Sequence, residues 1–158
     1  MMPALLPGLA HEMRFVVPAH KTVPHLYPEA ALFGAMPEVF ATGYLVGLLE
    51  WACMQALQPH LDATHQLSLG THIDVSHCAA TPPGLQVVVR VHLTHVQGRR
   101  LRFDVQAHDG VDLISSGTHE RCIVERAAFD ARVAAKRARA QDGVREASCV
   151  DHPRCVGR

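Results

Sequence analysis

One stretch of the sequence, residues 42–58, restricts the fold more than any other. It contains no proline, Pro59 follows it directly, and apolar residues occupy almost every side of the helix that it would form. A helix that is apolar nearly all round is buried rather than laid on a surface. Thr42 stands at the start, where a threonine can act as the N-cap. The remainder of the chain is therefore expected to cover this helix.

The segments around this helix alternate between apolar and polar residues, which is typical of strands with one buried face. Short connections, with Asp109-Gly110 as a hairpin signal, indicate antiparallel pairing. We predict an α+β protein with the hotdog fold, a curled antiparallel sheet wrapped around one long buried helix. The predicted strands are 13–18, 69–80, 85–96, 101–107 and 112–124.

The chain has 158 residues, the size of one domain, which we place at residues 1–140. An Ala/Arg-rich helix over 126–140 ends this domain, either as a solvated helix or as a grip for the phosphates of a nucleotide-bearing ligand. Residues 141–158 are predicted to be a disordered tail. Because a single helix leaves part of the sheet and part of the helix itself uncovered, we expect a homodimer.

Charge and cysteine content exclude several classes of protein. The 15 basic and 15 acidic residues balance, so we expect neither a nucleic-acid partner nor a membrane partner. The five cysteines include no Cys-x-x-Cys pair, which argues against a structural metal site and for reduced thiols. The N-terminus lacks a positively charged region and is interrupted by proline. We therefore expect a cytoplasmic protein.

Glu50 is the candidate catalytic residue that stands out most. It is the only charged side chain between Val39 and Leu57. A buried carboxylate costs several kcal/mol unless it is paired or protonated, so this helix is not expected to carry one without a reason. We interpret Glu50 as a pocket carboxylate with a raised pKa; the alternative is a solvent-facing or structurally hydrogen-bonded glutamate.

Thr42 and His77 are the other two candidate catalytic residues. Thr42 precedes Glu50 by eight positions, about 12 Å along a helix, so the two could flank one extended substrate group. Amides at a helix start can also stabilise an oxyanion. Alternation places His77 on the apolar face of its strand, either as a core histidine or as a partner of Glu50.

Gly70 and Arg121 are candidate binding residues. Gly70 opens a strand and could allow substrate to approach the backbone closely. Arg121 lies within a strand, where it either forms an ion pair facing solvent or steers a carboxylate or phosphate. The proline-rich segment 18–37 is long for a loop in a small domain, and such loops are often lids or binding loops.

Several short motifs together carry a resemblance to a known family. They are 20–29 (HKTVPHLYPE), 39–43 (VFATG), 47–53 (GLLEWAC), 68–71 (SLGT), 80–84 (ATPPG), 107–110 (AHDG) and 117–121 (GTHER). The chain resembles the bacterial fluoroacetyl-CoA thioesterases, a family of hotdog proteins, over residues 13–133. The resemblance implies a homodimeric thioesterase that hydrolyses a small acyl-CoA, contributes to fluoroacetate resistance, and needs neither a metal nor an organic cofactor.

Matched motif by motif, the catalytic residues of the family fall on Thr42, Glu50 and His77. Its binding residues fall on Gly70 and Arg121 and on a group in the loop. The loop residues are Val23, Leu26 and Phe33.

One position departs from the family pattern. Fluoroacetyl-selective members carry a second phenylalanine where this chain has Met36, which keeps the lid apolar but more adaptable. Two alternatives to a fluoroacetyl-CoA thioesterase stay open: a general short-chain acyl-CoA thioesterase or hydratase, and a non-catalytic acyl-CoA-binding protein.

Overall fold

A computed structural model describes residues 4–149, with side chains placed up to residue 142. Its strands are β1 (Ala10–Val16), β2 (Gln66–Val75), β3 (Gln86–Gln97), β4 (Arg100–His108) and β5 (Leu113–Glu125). Its α-helices are α1 (Ala31–Gly34), α2 (Thr42–Leu57) and α3 (Arg126–Cys149). Within residues 4–149, no helix combines the length and hydropathy needed to cross a membrane.

The five strands form one antiparallel sheet in the order β1-β3-β4-β5-β2. Helix α2 packs on the inner face of this sheet and contacts β1, β2, β3 and β4. This arrangement confirms the predicted α+β hotdog fold. The predicted turns are also present, because Gly98 and Gly110 adopt φ angles of 59° and 92°, in the left-handed region that favours glycine.

The alternation of the sequence correctly identifies the inner face of the sheet. Val87, Val89, Val91 and Leu93 of β3 are at most 2% exposed. The equivalent residues of β4 are buried in the same way. They pack against the buried side of α2, where Leu45, Leu49, Ala52 and others line the core.

Helix α2 is buried except along one stripe, which is the part of the helix that a single chain is expected to leave uncovered. Trp51 and Met54 are each 49% exposed, and Gly43 and Gly47 lie on the same open side. The physical reason is the curl of a five-stranded sheet, whose edge strands β1 and β2 do not meet around the helix. Apolar residues on this stripe are thus not part of the core of one chain.

The boundaries of two strands, β1 and β2, differ from the prediction by more than one residue. β1 begins at Ala10, three residues earlier than expected. β2 ends at Val75, so His77 follows the strand instead of lying in it. Just past that end, the side-chain oxygen of Ser76 accepts the amide of Ser116 at 3.1 Å in place of a backbone carbonyl, which interrupts the regular ladder.

The C-terminal helix α3 is longer than predicted. It continues to Cys149, so residues 141–149 of the predicted disordered tail are helical. Residues 150–158 of that tail lie outside the described residues. A disordered tail therefore stays a prediction for residues 150–158 alone.

Candidate active site

Glu50 projects from the second half of α2 towards β2, where Gly70 leaves room for it. A Cβ atom added to Gly70 would collide with Oε1 of Glu50 and would lie 3.1 Å from Cε1 of His119. The pairing of β2 with β5 shifts by one residue between Gly70 and His72, and such bulges often occur beside active sites. The absence of a side chain at position 70 thus allows the carboxylate to approach the strand.

The prediction that Glu50 is buried is not met in the single chain. Its side chain is 40% exposed, because it lies next to the open stripe of α2. Solvent reaches one side of this carboxylate, and a charged side chain that is fixed within the protein lies on its other side. It is therefore accessible to a substrate.

The fixed charge is the guanidinium of Arg121, which is only 3% exposed. Nε donates to Oγ of Ser68 at 3.1 Å and Nη2 donates to the Ser68 carbonyl at 2.6 Å. Nη1 lies 3.6 Å from Oε1 of Glu50. Burial lowers the pKa of Arg121, and the opposite charge of Glu50 partly restores it. The solvent-facing alternative for Arg121 is thus wrong.

His119 also belongs to this cluster, although it is not among the site residues predicted from the sequence. It is 1% exposed and its Nδ1 donates to the His72 carbonyl at 2.8 Å. Burial lowers its pKa, so the ring is neutral near pH 7 and Nε2 keeps its lone pair. Nη1 of Arg121 donates to that lone pair at 3.0 Å. Glu50, 3.8 Å from Nε2, therefore has Arg121 and not His119 as its charged partner.

A sequence signal for His119 exists. His119 and Arg121 are two positions apart in β5, so they share the inner face that also carries Gly117 and Ile123. Two polar side chains in succession on an inner face indicate a site. What the sequence does not reveal is the partner, a backbone carbonyl of a strand 47 residues away.

Thr42 and His77 form a separate pair at the other end of α2. Oγ1 of Thr42 and Nδ1 of His77 are 2.8 Å apart. Burial lowers the pKa of His77, and the Ala79 carbonyl offsets only part of this shift. This imidazole is therefore also neutral near pH 7. The two residues, with Val23, line a cavity of about 260 Å³ open to solvent.

The N-cap role predicted for Thr42 is wrong. Ala41 is the N-cap and Thr42 is the first helical residue. Because Ala41 has no polar side chain, no side-chain oxygen of the N-cap accepts an amide of the first turn. The start of α2 therefore presents free N–H groups beside the Thr42–His77 pair, a favourable place for a developing negative charge.

The predicted pairing of His77 with Glu50 is not found within the chain. His77 is hydrogen-bonded to Thr42, whereas Glu50 forms an ion pair with Arg121 in the space that Gly70 leaves open. Eight helical residues, about 12 Å, separate Thr42 from Glu50. The structure thus places the candidate catalytic residues in two clusters.

Two of the four loop residues predicted to bind substrate, Val23 and Leu26, lie at the Thr42 end of α2. Leu26 packs on Gly43, since a Cβ added there would lie 3.1 Å from its Cδ1. Phe33, in α1, stacks on Tyr27 with ring centroids 5.7 Å apart. Met36 is 51% exposed just after α1. Of the predicted lid residues, Val23 lines the cavity at Thr42 and the other three do not.

Cys53 lies next to the Glu50 cluster but is an unsuitable nucleophile. It is fully buried, and burial raises the pKa of its thiol to about 12. A thiol that stays protonated does not attack a carbonyl carbon at neutral pH. Among the described residues, no group of three His, Cys, Asp or Glu side chains is arranged to hold a metal ion.

The chain matches known proteins over most of its length. A curated relative, the fluoroacetyl-CoA thioesterase of Streptantibioticus cattleyicolor, is 58% identical over 122 residues, which span 77% of this chain and 87% of the relative. A solved structure of the fluoroacetyl-CoA thioesterase FlK superposes with a TM-score of 0.82 at 54% identity, covering 85% of this chain and 98% of that one.

A variant of FlK solved in complex with fluoroacetate and CoA superposes with a TM-score of 0.77 at 55% identity, covering 79% of this chain and 99% of the other. The family model described as fluoroacetyl-CoA-specific thioesterase matches residues 23–127, which include Thr42, Glu50, His77 and Arg121. The chain therefore belongs to the fluoroacetyl-CoA-specific thioesterase family.

Proposed function

We propose that the chain hydrolyses small acyl-CoA thioesters, with fluoroacetyl-CoA as the preferred substrate, to the free acid and CoA. The observation that carries this proposal is the accessible Glu50 carboxylate, set against Gly70 and a buried guanidinium. The relatives named for fluoroacetyl-CoA and the complex with fluoroacetate and CoA support the choice of substrate. The cytoplasmic location stays a prediction from the N-terminal sequence.

The proposed reaction adds an oxygen nucleophile to the thioester carbonyl carbon and breaks the carbon–sulfur bond. In one route Glu50 takes a proton from water, whose oxygen attacks the carbon. In the other, Glu50 itself attacks and forms an anhydride, which water then hydrolyses. Both routes release the acid and the CoA thiolate, which takes up a proton. Arg121 holds the carboxylate in place for either route.

The start of α2 is the proposed binding place for the thioester carbonyl oxygen. Its first-turn amides are not capped by a side chain, and the Thr42 hydroxyl lies beside them. Donors fixed in this way stabilise the oxyanion that forms as the carbonyl is attacked. His77 holds the Thr42 hydroxyl, and Val23 contributes an apolar wall for the acyl group.

We propose that a homodimer assembles the complete site from both chains. Thr42 and Glu50 of one chain are about 12 Å apart along α2 and their side chains have different partners, so a carbonyl bound at Thr42 is out of reach of Glu50 of the same chain. Both clusters border exposed parts of α2, with Gly43 uncovered beside Thr42 and with Trp51 and Met54 uncovered near Glu50. An antiparallel contact between two such helices brings Thr42 and His77 of one protomer next to Glu50 of the partner subunit.

Glu50→Gln is expected to lower kcat/KM for thiol release at least about 100-fold, because the amide can neither accept a proton nor attack. The matched control is Glu120→Gln, which removes a carboxylate of similar exposure, 43%, on the outer face of β5. Thiol release is followed spectrophotometrically with fluoroacetyl-CoA.

Retention of activity in Glu50→Gln, or an equal loss in Glu120→Gln, argues against the assigned role. A wild-type protein that binds acyl-CoA without releasing thiol, and whose affinity survives Glu50→Gln, is instead a binding protein.

A substrate series tests selectivity. With fluoroacetyl-, acetyl- and butyryl-CoA, we expect the highest kcat/KM for fluoroacetyl-CoA. We expect Met36→Phe to widen the difference in kcat/KM between fluoroacetyl-CoA and the other two substrates, because a ring makes the apolar lid more rigid. Comparable values for all three substrates would leave hydrolysis intact and remove fluorine selectivity.

Mixing two inactive variants tests the shared site. In a heterodimer of Thr42→Ala and Glu50→Gln chains, one site combines an intact Thr42 with an intact Glu50 from the other chain. With random reassociation of equal amounts, about half of the dimers are heterodimers, and each heterodimer has one intact site of its two. Mixing should therefore restore about a quarter of wild-type activity. If the site lies within a single chain, mixing restores nothing. Light scattering on the same samples verifies that dimers form.

A further inference from the structure

Two buried side-chain atoms among the described residues make no hydrogen bond of good geometry: Oγ of Ser115 and Nε2 of His77, whose ring is influenced by the Ala79 carbonyl. Ser115 is completely buried in β5. Buried polar groups are almost always hydrogen-bonded, and leaving one unpaired costs free energy. Two such atoms therefore call for a structural explanation, above all because one of them belongs to a candidate catalytic residue.

The strand register places these two residues opposite each other. The amide of Ser76 donates to the Ser116 carbonyl and the amide of Cys78 donates to the Ile114 carbonyl, each at 3.0 Å. His77 is therefore directly across from Ser115, in continuation of the pair Val75 and Gly117. Side chains so paired lie on one face, with Cβ atoms about 4.5–5.5 Å apart. A serine hydroxyl can bridge that gap by rotating about χ1 or through one water molecule.

The other nitrogen of the ring is already used. Nδ1 lies 2.8 Å from the Thr42 hydroxyl, on the side of the cavity. A neutral imidazole has one N–H and one lone pair, so the group bonded to Nε2 determines which of them faces Thr42. A hydrogen-bond partner on the second ring nitrogen of a functional histidine also fixes the orientation of the ring.

We propose that Ser115 is a positioning residue whose hydroxyl hydrogen-bonds Nε2 of His77, the ring nitrogen that does not contact Thr42. This bond fixes the tautomer and the orientation of the ring that Thr42 meets. This inference rests on the proposed function for its kinetic consequence. Its structural part, the bond between the two side chains, is independent of any activity.

The test compares Ser115→Ala with Ser116→Ala, which removes the same atom from the neighbouring residue of β5 on the opposite face. We expect Ser115→Ala to lower kcat for fluoroacetyl-CoA about three- to tenfold, the effect of one hydrogen bond, with KM unchanged. The imidazole ¹⁵N shifts of His77, assigned with a His77→Asn sample, should change in Ser115→Ala and stay as in the wild type in Ser116→Ala.

Unchanged His77 ¹⁵N shifts in Ser115→Ala would overturn the proposal, whatever happens to the rate. So would changes of equal size in both variants, since these would reflect altered strand packing. If the wild-type protein hydrolyses no thioester, the proposed function fails, while the ¹⁵N shifts still decide whether Ser115 holds the ring.

Discussion

A buried positive charge governs the structure of the candidate site. Removing a guanidinium from water costs several kcal/mol unless its donors and its charge are satisfied. Arg121 meets this requirement through Ser68, His119 and the carboxylate of Glu50. The last contact needs Gly70, because any side chain there would displace the carboxylate. One buried charge thus accounts for four residues on three elements, which are Ser68 and Gly70 of β2, Glu50 of α2 and His119 of β5.

The helix and the strand faces could be predicted from the sequence because their signals are local. Alternation over 85–96 and 101–107 correctly identifies the residues of β3 and β4 that contact α2. The run from Thr42 to Leu57 likewise predicts α2. Composition alone could not show that a stripe with Trp51 stays exposed, because this depends on how far five strands curl around one helix.

The pairing of the site residues could not be predicted because it depends on register between distant segments. The choice of Thr42 over Glu50 as the partner of His77 is determined by where the segment after β2 crosses the start of α2. The tautomer of His119 depends on the carbonyl of His72 in the neighbouring strand. Thr42, Glu50 and His77 could be selected as candidates, but the division into two clusters required the structure.

The most direct measurement for this account is a double-mutant cycle on kcat/KM for thiol release with Arg121→Gln, Glu50→Gln and the double variant. If Arg121 acts by holding Glu50, the single change Arg121→Gln lowers activity, and adding it to Glu50→Gln costs little more. Losses that simply multiply, or an Arg121→Gln enzyme with wild-type activity, would contradict the account.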